Sequence, residues 1–501
     1  MRLLTGSLVA STAAILLAWP ALGRPGGAAP SPFRVEVSFP ASLERRPVDG
    51  RVLLVIARNG DPERRFQIGR GLRSQPLFGV DVDGLRPGQP GILDTATRGW
   101  PVESLSGIPA GDYTVQAVLN LYTTFTRGDG HAIEAHMDQW EGQRWNISPG
   151  KLVSEPQRVH IDPASPEPVR VTLTRRLPSL DPLKDTKYVK HLKFRSDVLS
   201  RWWGRDIFLG AIVVLPEGFD EHPDARYPVV YDHGHFPRTF SAFRETPPGP
   251  ELTGAERAQA ESGYRLFRDW VSGKLGRFLI VLMQHPTPFY DDSYAVNSAN
   301  NGPYGDALTK ELMPLVEQRF RAIGEKWART ISGGSTGGWE SLAWQVLYPD
   351  LFNGTWTFCP DPVDFRYFQL VNIYEDTNAF HPNSEWKREA VRPWQRGVDN
   401  QVLMTQKDAT HLEQVLGTRG RSGEQMDIFL EEATYLLQQF LGSTKDPYYA
   451  GTFDIGRRQP HCYSGMPEFP GQTAYQRVLP QMLDRILKTA PSGADLKSWR
   501  Y

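Results

Sequence analysis

The stretch Ile331-Ser-Gly-Gly-Ser-Thr-Gly-Gly-Trp-Glu340 decides how this chain is read. Within it, Gly333-Gly334-Ser335-Thr336-Gly337 has the G-x-S-x-G spacing of a nucleophile elbow, a serine on a very sharp strand-to-helix turn. Such a turn strains the serine backbone, and side chains beside it would collide with the adjoining strand and helix. Glycine meets both demands. The turn exposes the Ser335 hydroxyl at a helix N-terminus, where backbone N–H groups can bind an oxyanion. Glycine-rich surface turns match five such residues by chance, so the flanks matter. Upstream, Trp327 to Ser332 reads as a short strand. Downstream, Trp339 to Tyr348 reads as an apolar helix closed by Pro349-Asp350. Strand, elbow and helix follow in the order the chemistry requires.

Working outward, an alternation of strands and helices surrounds the elbow. Ile207 to Leu215, Tyr227 to Tyr231 and Phe278 to Met283 read as strands, the last apolar enough to be covered on both faces. Glu256 to Trp270 and Ala307 to Phe320 read as helices, and Asn353 to Phe358 as the strand after the elbow helix. This pattern argues for α/β class with a mainly parallel sheet. The region from Phe33 to Arg176 differs. Arg34 to Phe39 alternates, Arg51 to Ala57 is a buried run, and Asp112 to Tyr122 and Val169 to Thr174 are strands, with Gly and Pro clusters between them. The expected organisation is a small all-β sandwich over 33–176, a Pro/Lys/Asp linker at 178–188, and an α/β domain over 189–501. His131, Glu134 and His136 lie close together in the first part and read as a solvated loop.

A serine nucleophile needs a base to take its proton and a carboxylate to orient that base. With the order serine, acid, histidine, the base lies downstream of Ser335, at His381, His411 or His461. His381 precedes a proline in a polar loop, and His411 sits in a helical stretch, Thr410 to Leu416. His461 follows Gly451 to Gly456, which reads as a last strand, so His461 is the expected base. For the acid, Asp427 opens a good helix and is the first choice, with an N-cap as its plain alternative. Asp361 and Asp364, after the Asn353–Phe358 strand, are the alternatives. The oxyanion donors expected are the amides of Thr336 and His235, with Phe236 as an option for the second. Gly234 in Asp232-His-Gly-His-Phe236 lets that backbone approach a substrate. No third ligand is evident near His233 and His235, so no metal and no cofactor are expected. Tyr290 to Tyr294 and Asn297 to Asn301 either overhang the cleft or form a hydrogen-bonded structural loop.

Among 501 residues the formal net charge is −1, which gives no electrostatic case for nucleic acid or an anionic membrane as partner. Arg2, the apolar run Leu3 to Trp19 and Ala21-Leu22-Gly23 read as a signal peptide cleaved after Gly23, giving a periplasmic or extracellular protein. The two cysteines, Cys359 and Cys462, are expected to pair there. Cys359 ends the strand after the elbow helix and Cys462 adjoins His461, so a bridge would fix the histidine loop at the carboxyl edge of the sheet.

Together these residues resemble the esterase family of α/β-hydrolases that includes esterase D and enterochelin esterase. The resemblance rests on the Tyr227–Tyr231 strand followed by His233-Gly234, on Gly302-Pro-Tyr-Gly-Asp306 leading into a helix with Glu311 to Glu317, and on the elbow. It covers residues 190–501 and extends to secreted bacterial relatives with an N-terminal β-domain. It implies an α/β-hydrolase fold and hydrolysis of a small-molecule or glycan ester through Ser335, Asp427 and His461. One departure stands out. Relatives carry an apolar strand leading to the acid, whereas Thr418 to Met426 is polar and the region 376–426 looks shortened. That departure leaves open a non-catalytic binding protein with a degenerate hydrolase domain, and an acyltransferase on the same scaffold, which differs only in what deacylates the enzyme, is the other alternative. The sequence does not give the oligomeric state.

Overall fold

The run Val52 to Ala57 is fully buried, which an amphipathic strand is not. Its two faces enter two cores. Val52, Leu54 and Ile56 meet Val35, Val37, Val115, Ala117 and Leu119 on one side. Leu53 and Val55 meet Leu77, Val118, Met404, Leu412 and Val415 on the other. A continuous apolar run is what a strand covered on both faces requires. The computed structural model describes residues 33–58, 62–69, 74–126, 132–298, 301–361, 380–381, 391–396, 400–417 and 474–496.

The first 176 residues are all β apart from two short 3-10 turns among those described. A three-stranded sheet, Val169–Thr172, Val35–Ser38 and Gly91–Leu93, lies over a seven-stranded one built round Val48–Ala57, Leu77–Leu85 and Gly111–Leu121. The far face of the larger sheet is covered by a helix from much later in the chain, Gln406–Leu416. The sequence indicated that helix but not its site. Thr405 and Asp408 form a capping box at its start. At its end the buried Arg51 guanidinium donates to the carbonyls of Val415 (2.8 Å) and Gln414 (3.0 Å) and pairs with Asp81 (2.9 Å). A cation at a helix C-terminus is favourable, and here it ties the helix to the sheet.

The hairpin Thr123–Thr126 and Ala132–Ala135 projects the other way. Its Phe125, Ile133 and Ala135 join the core of the α/β region. The expectation of a solvated loop is therefore corrected. His136 is 4% exposed and lies 3.8 Å from the buried Glu141, because the hairpin carries the following segment into contact with the second sheet. Burial, with the neighbouring Lys151 charge, holds the His136 imidazole down at about 3, so it is neutral. His131 lies outside the described residues.

The α/β region holds a six-stranded sheet whose strands we number in chain order: β1 (Val189–Arg195), β2 (Phe208–Val214), β3 (Val229–His233), β4 (Leu279–Gln284), β5 (Arg329–Gly334) and β6 (Thr355–Phe358). Their spatial order is β1-β2-β4-β3-β5-β6. The β1–β2 and β2–β4 pairs are antiparallel, and the β3–β4, β3–β5 and β5–β6 pairs are parallel. Strands β3 and β4 read Val-Val-Tyr and Leu-Ile-Val-Leu-Met because helices cover the sheet. Gly254–Val271, the elbow helix Thr336–Leu347 and Ala474–Thr489 all bury apolar faces against it. From β3 the chain moves outward to β4, then returns past β3 to β5. The crevice at the carboxyl ends of β3 and β5 is therefore the switch point where open α/β sheets bind ligands. No strand leading to Asp427 joins this sheet among the described residues. Pro393–Arg396 and Val402–Thr405 instead form a separate hairpin. No helix among the described residues is long and apolar enough to cross a membrane.

Candidate active site

Ser335 stands at the switch point, between the end of β5 and the first residue of the elbow helix, with φ 58° and ψ −122°. A non-glycine residue in that region costs about 1–3 kcal/mol and persists only where the surroundings enforce it. The surroundings here are glycines at van der Waals contact. A Cβ on Gly333 would lie 2.0 Å from the Gly337 carbonyl oxygen, and one on Gly337 would lie 2.0 Å from the carbonyl oxygen of His233. The elbow helix thus packs directly on the ends of β5 and β3. The Ser335 amide donates to the Phe358 carbonyl (3.0 Å), and its carbonyl accepts from the Asp361 amide (3.1 Å), which locks the turn to the end of β6.

The carboxylate of Asp361, 3% exposed, faces Ser335. The Ser335 hydroxyl donates to its Oδ1 (3.3 Å) and the Thr336 hydroxyl to its Oδ2 (2.8 Å). Of the carboxylates weighed from sequence, Asp361 is the one described next to Ser335. Asp427, Asp364, His461 and Cys462 lie outside the described residues. Cys359, at the end of β6, is disulfide-bonded.

His235, on the loop after β3, reaches the same spot from the other side. Its Nε2 lies 3.2 Å from the Thr336 hydroxyl, and its Nδ1 lies 3.2 Å from Asp291 and 3.3 Å from Asp292. The two residues expected to present oxyanion amides, Thr336 and His235, therefore abut. Phe236 is excluded from that role, since its amide donates to the Asp291 carbonyl (3.1 Å). The Tyr290–Tyr294 segment is a structural loop. Four of its five residues are buried and Asp291 is partly so, and its turns are closed by side chains from it and from the residues just before it: the Tyr290 amide donates to Thr287 Oγ1 (2.9 Å) and the Tyr294 amide to Asp292 Oδ1 (2.8 Å).

Beneath this surface lies a cluster that the sequence did not reveal. His233 ends β3, His285 follows β4, and Glu340 lies on the elbow helix; all three are buried. His233 Nδ1 is 3.5 Å from Glu340 Oε2, and His285 Nδ1 is 3.0 Å from Ser293 Oγ. Burial pushes both imidazoles below their usual range, His233 furthest, so both are neutral. Burial, then the neighbouring Asp292 carboxyl, pushes Glu340 well above the usual range. Sequence neighbours alone offer His233 no third ligand, because His285 and Glu340 lie on other elements. The one cue was that each sits within a few residues of a strand end or the elbow.

On the opposite side of β3, Asp232 accepts from the hydroxyls of Ser332 and Tyr475, the latter at 2.7 Å. This pairing joins β3, β5 and the helix Ala474–Thr489. A cavity of about 570 Å³ opens elsewhere, against β1 and β2, between Asp138, Trp140, Leu183, Lys193, Phe208 and Phe236. It does not include Ser335.

Residues 280–440 match a family model described as "Putative esterase". That match bears out the family resemblance read from the elbow and its flanks, over about a third of the chain. No curated protein matches the sequence. Solved structures similar to the chain include a CE1 ferulic acid esterase from Anaeromyces mucronatus (18% identity, 46% of this chain and 69% of that one, TM-score 0.22). Others are the fluorophosphonate-binding serine hydrolase F of Staphylococcus aureus (15%, 40% and 63%, 0.24) and an IroE-like serine hydrolase from Shewanella oneidensis (17%, 34% and 51%, 0.22). The first listed structure, a ferulic acid esterase, is spanned over 60% of its own length. Likenesses this slight carry no argument of their own. The functional reading rests on the chain's own sheet and elbow together with the family match.

Proposed function

We propose that the chain is a secreted serine carboxylesterase, composed of a β-sandwich domain over 33–176 and an α/β-hydrolase domain over 189–501. Residues 1–23 direct it to the periplasm or the extracellular space and are removed. Ser335 Oγ attacks the ester carbonyl and His461 takes its proton. The tetrahedral oxyanion is held by the amides of Thr336 and His235. Collapse expels the alcohol, which receives the proton from His461. Water, deprotonated by His461, then attacks the acyl-enzyme, the acid is released and Ser335 recovers its proton. Asp427 orients the imidazole in this scheme. Pairing of Cys359 with Cys462, the other cysteine of the sequence, brings His461 to the elbow.

The observation that carries this reading is the strained backbone of Ser335, held by Gly333 and Gly337 at the switch point of the sheet. Asp361, whose carboxylate accepts from the Ser335 hydroxyl, is the alternative acid within reach of the elbow. The test is turnover of a p-nitrophenyl ester series by the wild type and Ser335→Ala, with the acid product quantified in the presence and absence of an added sugar alcohol. Turnover that disappears in the variant and yields free acid supports the proposal. Equal turnover in both proteins contradicts it, and acyl transfer to the sugar assigns the alternative acyltransferase activity.

A further inference from the structure

We propose that His233, His285 and Glu340 form a structural site for one divalent transition-metal ion, with zinc as the best-fitting occupant. The ligand atoms of the three residues all lie within 4.8 Å of one another. Each side chain is at most 1% exposed. Both ring nitrogens of His233 and Nε2 of His285 are buried without a hydrogen-bond partner, and the buried Glu340 carboxyl beside them has only the Asp292 carboxyl as a neighbour. Buried polar atoms are nearly always paired, and three imidazole nitrogens left unpaired at one point need an explanation. A cation between them supplies it, because it takes lone pairs from two imidazoles and pairs with the buried Glu340 carboxyl group.

The chemistry of the donors sets the metal. Two imidazoles and one carboxylate suit zinc and its first-row neighbours and do not suit calcium or magnesium, which take oxygen ligands. Zinc–nitrogen bonds of about 2.1 Å put tetrahedral ligand atoms about 3.4 Å apart. His233 Nδ1 and Glu340 Oε2 already stand at 3.5 Å, so binding asks only His285 to close in. Its ring is held for that: Nδ1 meets Ser293 Oγ at 3.0 Å and lies 3.5 Å from Asp292 Oδ1, which leaves Nε2 as the donor atom. An outer partner of this kind is what fixes the tautomer of a metal-bound histidine.

The place in the fold indicates the role. His233 immediately precedes the Gly234–His235 loop, His285 immediately follows β4, and Glu340 lies five residues beyond Ser335. A metal here joins the oxyanion loop, the central strand and the elbow helix from below. It is walled from solvent, so it stabilises the scaffold and does not touch the reacting atoms. The site does not depend on the chemistry of Ser335.

The test uses the mature chain without a polyhistidine tag, dialysed with zinc and then against metal-free buffer, with bound metal measured by mass spectrometry. The wild type and Ser335→Ala are expected to retain about one equivalent. His285→Gln and Glu340→Gln are expected to bind at least ~10-fold more weakly. Wild-type protein that retains no stoichiometric metal, or variants that retain it fully, would overturn the proposal. Because either variant could fail to fold, cobalt-loaded wild type provides a second reading. The intense visible bands of a buried ion of low coordination number support the site, and the weak spectrum of a six-coordinate, surface-held ion overturns it.

Discussion

The Ser335 hydroxyl donates to the Asp361 carboxylate across 3.3 Å, so Ser335 has an acceptor beside it within the elbow's own frame. The same carboxylate holds the Thr336 hydroxyl at 2.8 Å. In the triad proposed here Asp361 positions the serine and Asp427 orients His461. Asp361→Asn is then expected to lower kcat roughly 10- to 100-fold. Asp427→Asn is expected to lower it by about 10⁴, the scale of losing the carboxylate that sets the imidazole tautomer. Steady-state kinetics of the two variants checks this, and the reverse ranking transfers the acid role to Asp361.

Asp232 makes stability depend on pH in a defined direction. Burial pushes its carboxyl from 3.8 up to about 6, against the opposing pull of hydrogen bonds from Ser332 and Tyr475. The folded chain therefore binds this proton more tightly than the unfolded chain. The associated stability is fully present below about pH 4 and is lost as pH rises through 6. Two pK units correspond to about 3 kcal/mol. Asp232→Asn removes that term, so the stability of the variant relative to wild type should improve by about 2 kcal/mol between pH 4.5 and pH 7. Urea unfolding at the two pH values measures it, and an unchanged difference contradicts the assignment.

The elbow glycines are not equivalent. Gly337→Ala puts a Cβ 2.0 Å from the His233 carbonyl oxygen, and neither backbone has room to yield. A loss of about 2 kcal/mol or more is expected, in the range of overpacking a tight interior. Gly334 is exposed, and its nearest contact for an added Cβ is 3.9 Å, so Gly334→Ala should change stability by less than about 0.5 kcal/mol. Thermal melts of the pair decide the matter.

Cys359 lies one residue beyond Phe358, whose carbonyl receives the Ser335 amide. If Cys359 pairs with Cys462, breaking the bridge releases the His461 segment. The Cys359→Ser, Cys462→Ser double variant is expected to lose tenfold or more in kcat/KM. It is also expected to lose up to about 4 kcal/mol in stability, the chain-entropy scale for a loop of about a hundred residues. Peptide mapping under non-reducing conditions identifies the bridge independently.

Much of the sheet was legible because its signals are local. The apolar runs at β3 and β4 and the glycine spacing around Ser335 each follow from a few adjacent residues and a steric rule. Long-range placement was not legible. Nothing in Thr410 to Leu416 indicates that its apolar side covers Leu53 and Val55, some 350 residues earlier, or that Arg51 caps it. His136 read as solvated because its neighbours are polar, while its burial comes from Phe125 and Ile133 packing into another region. The His233, His285 and Glu340 cluster was invisible for the same reason, since three separate elements must fold before those atoms meet.

The central claim, that Ser335 is the activated nucleophile, is tested most directly by fluorophosphonate labelling followed by peptide mapping of the mature protein. One equivalent of adduct on Ser335 is predicted, absent in Ser335→Ala and formed about 10³-fold more slowly in His461→Ala. No adduct on the folded wild type, or an adduct on a different residue, would contradict the account.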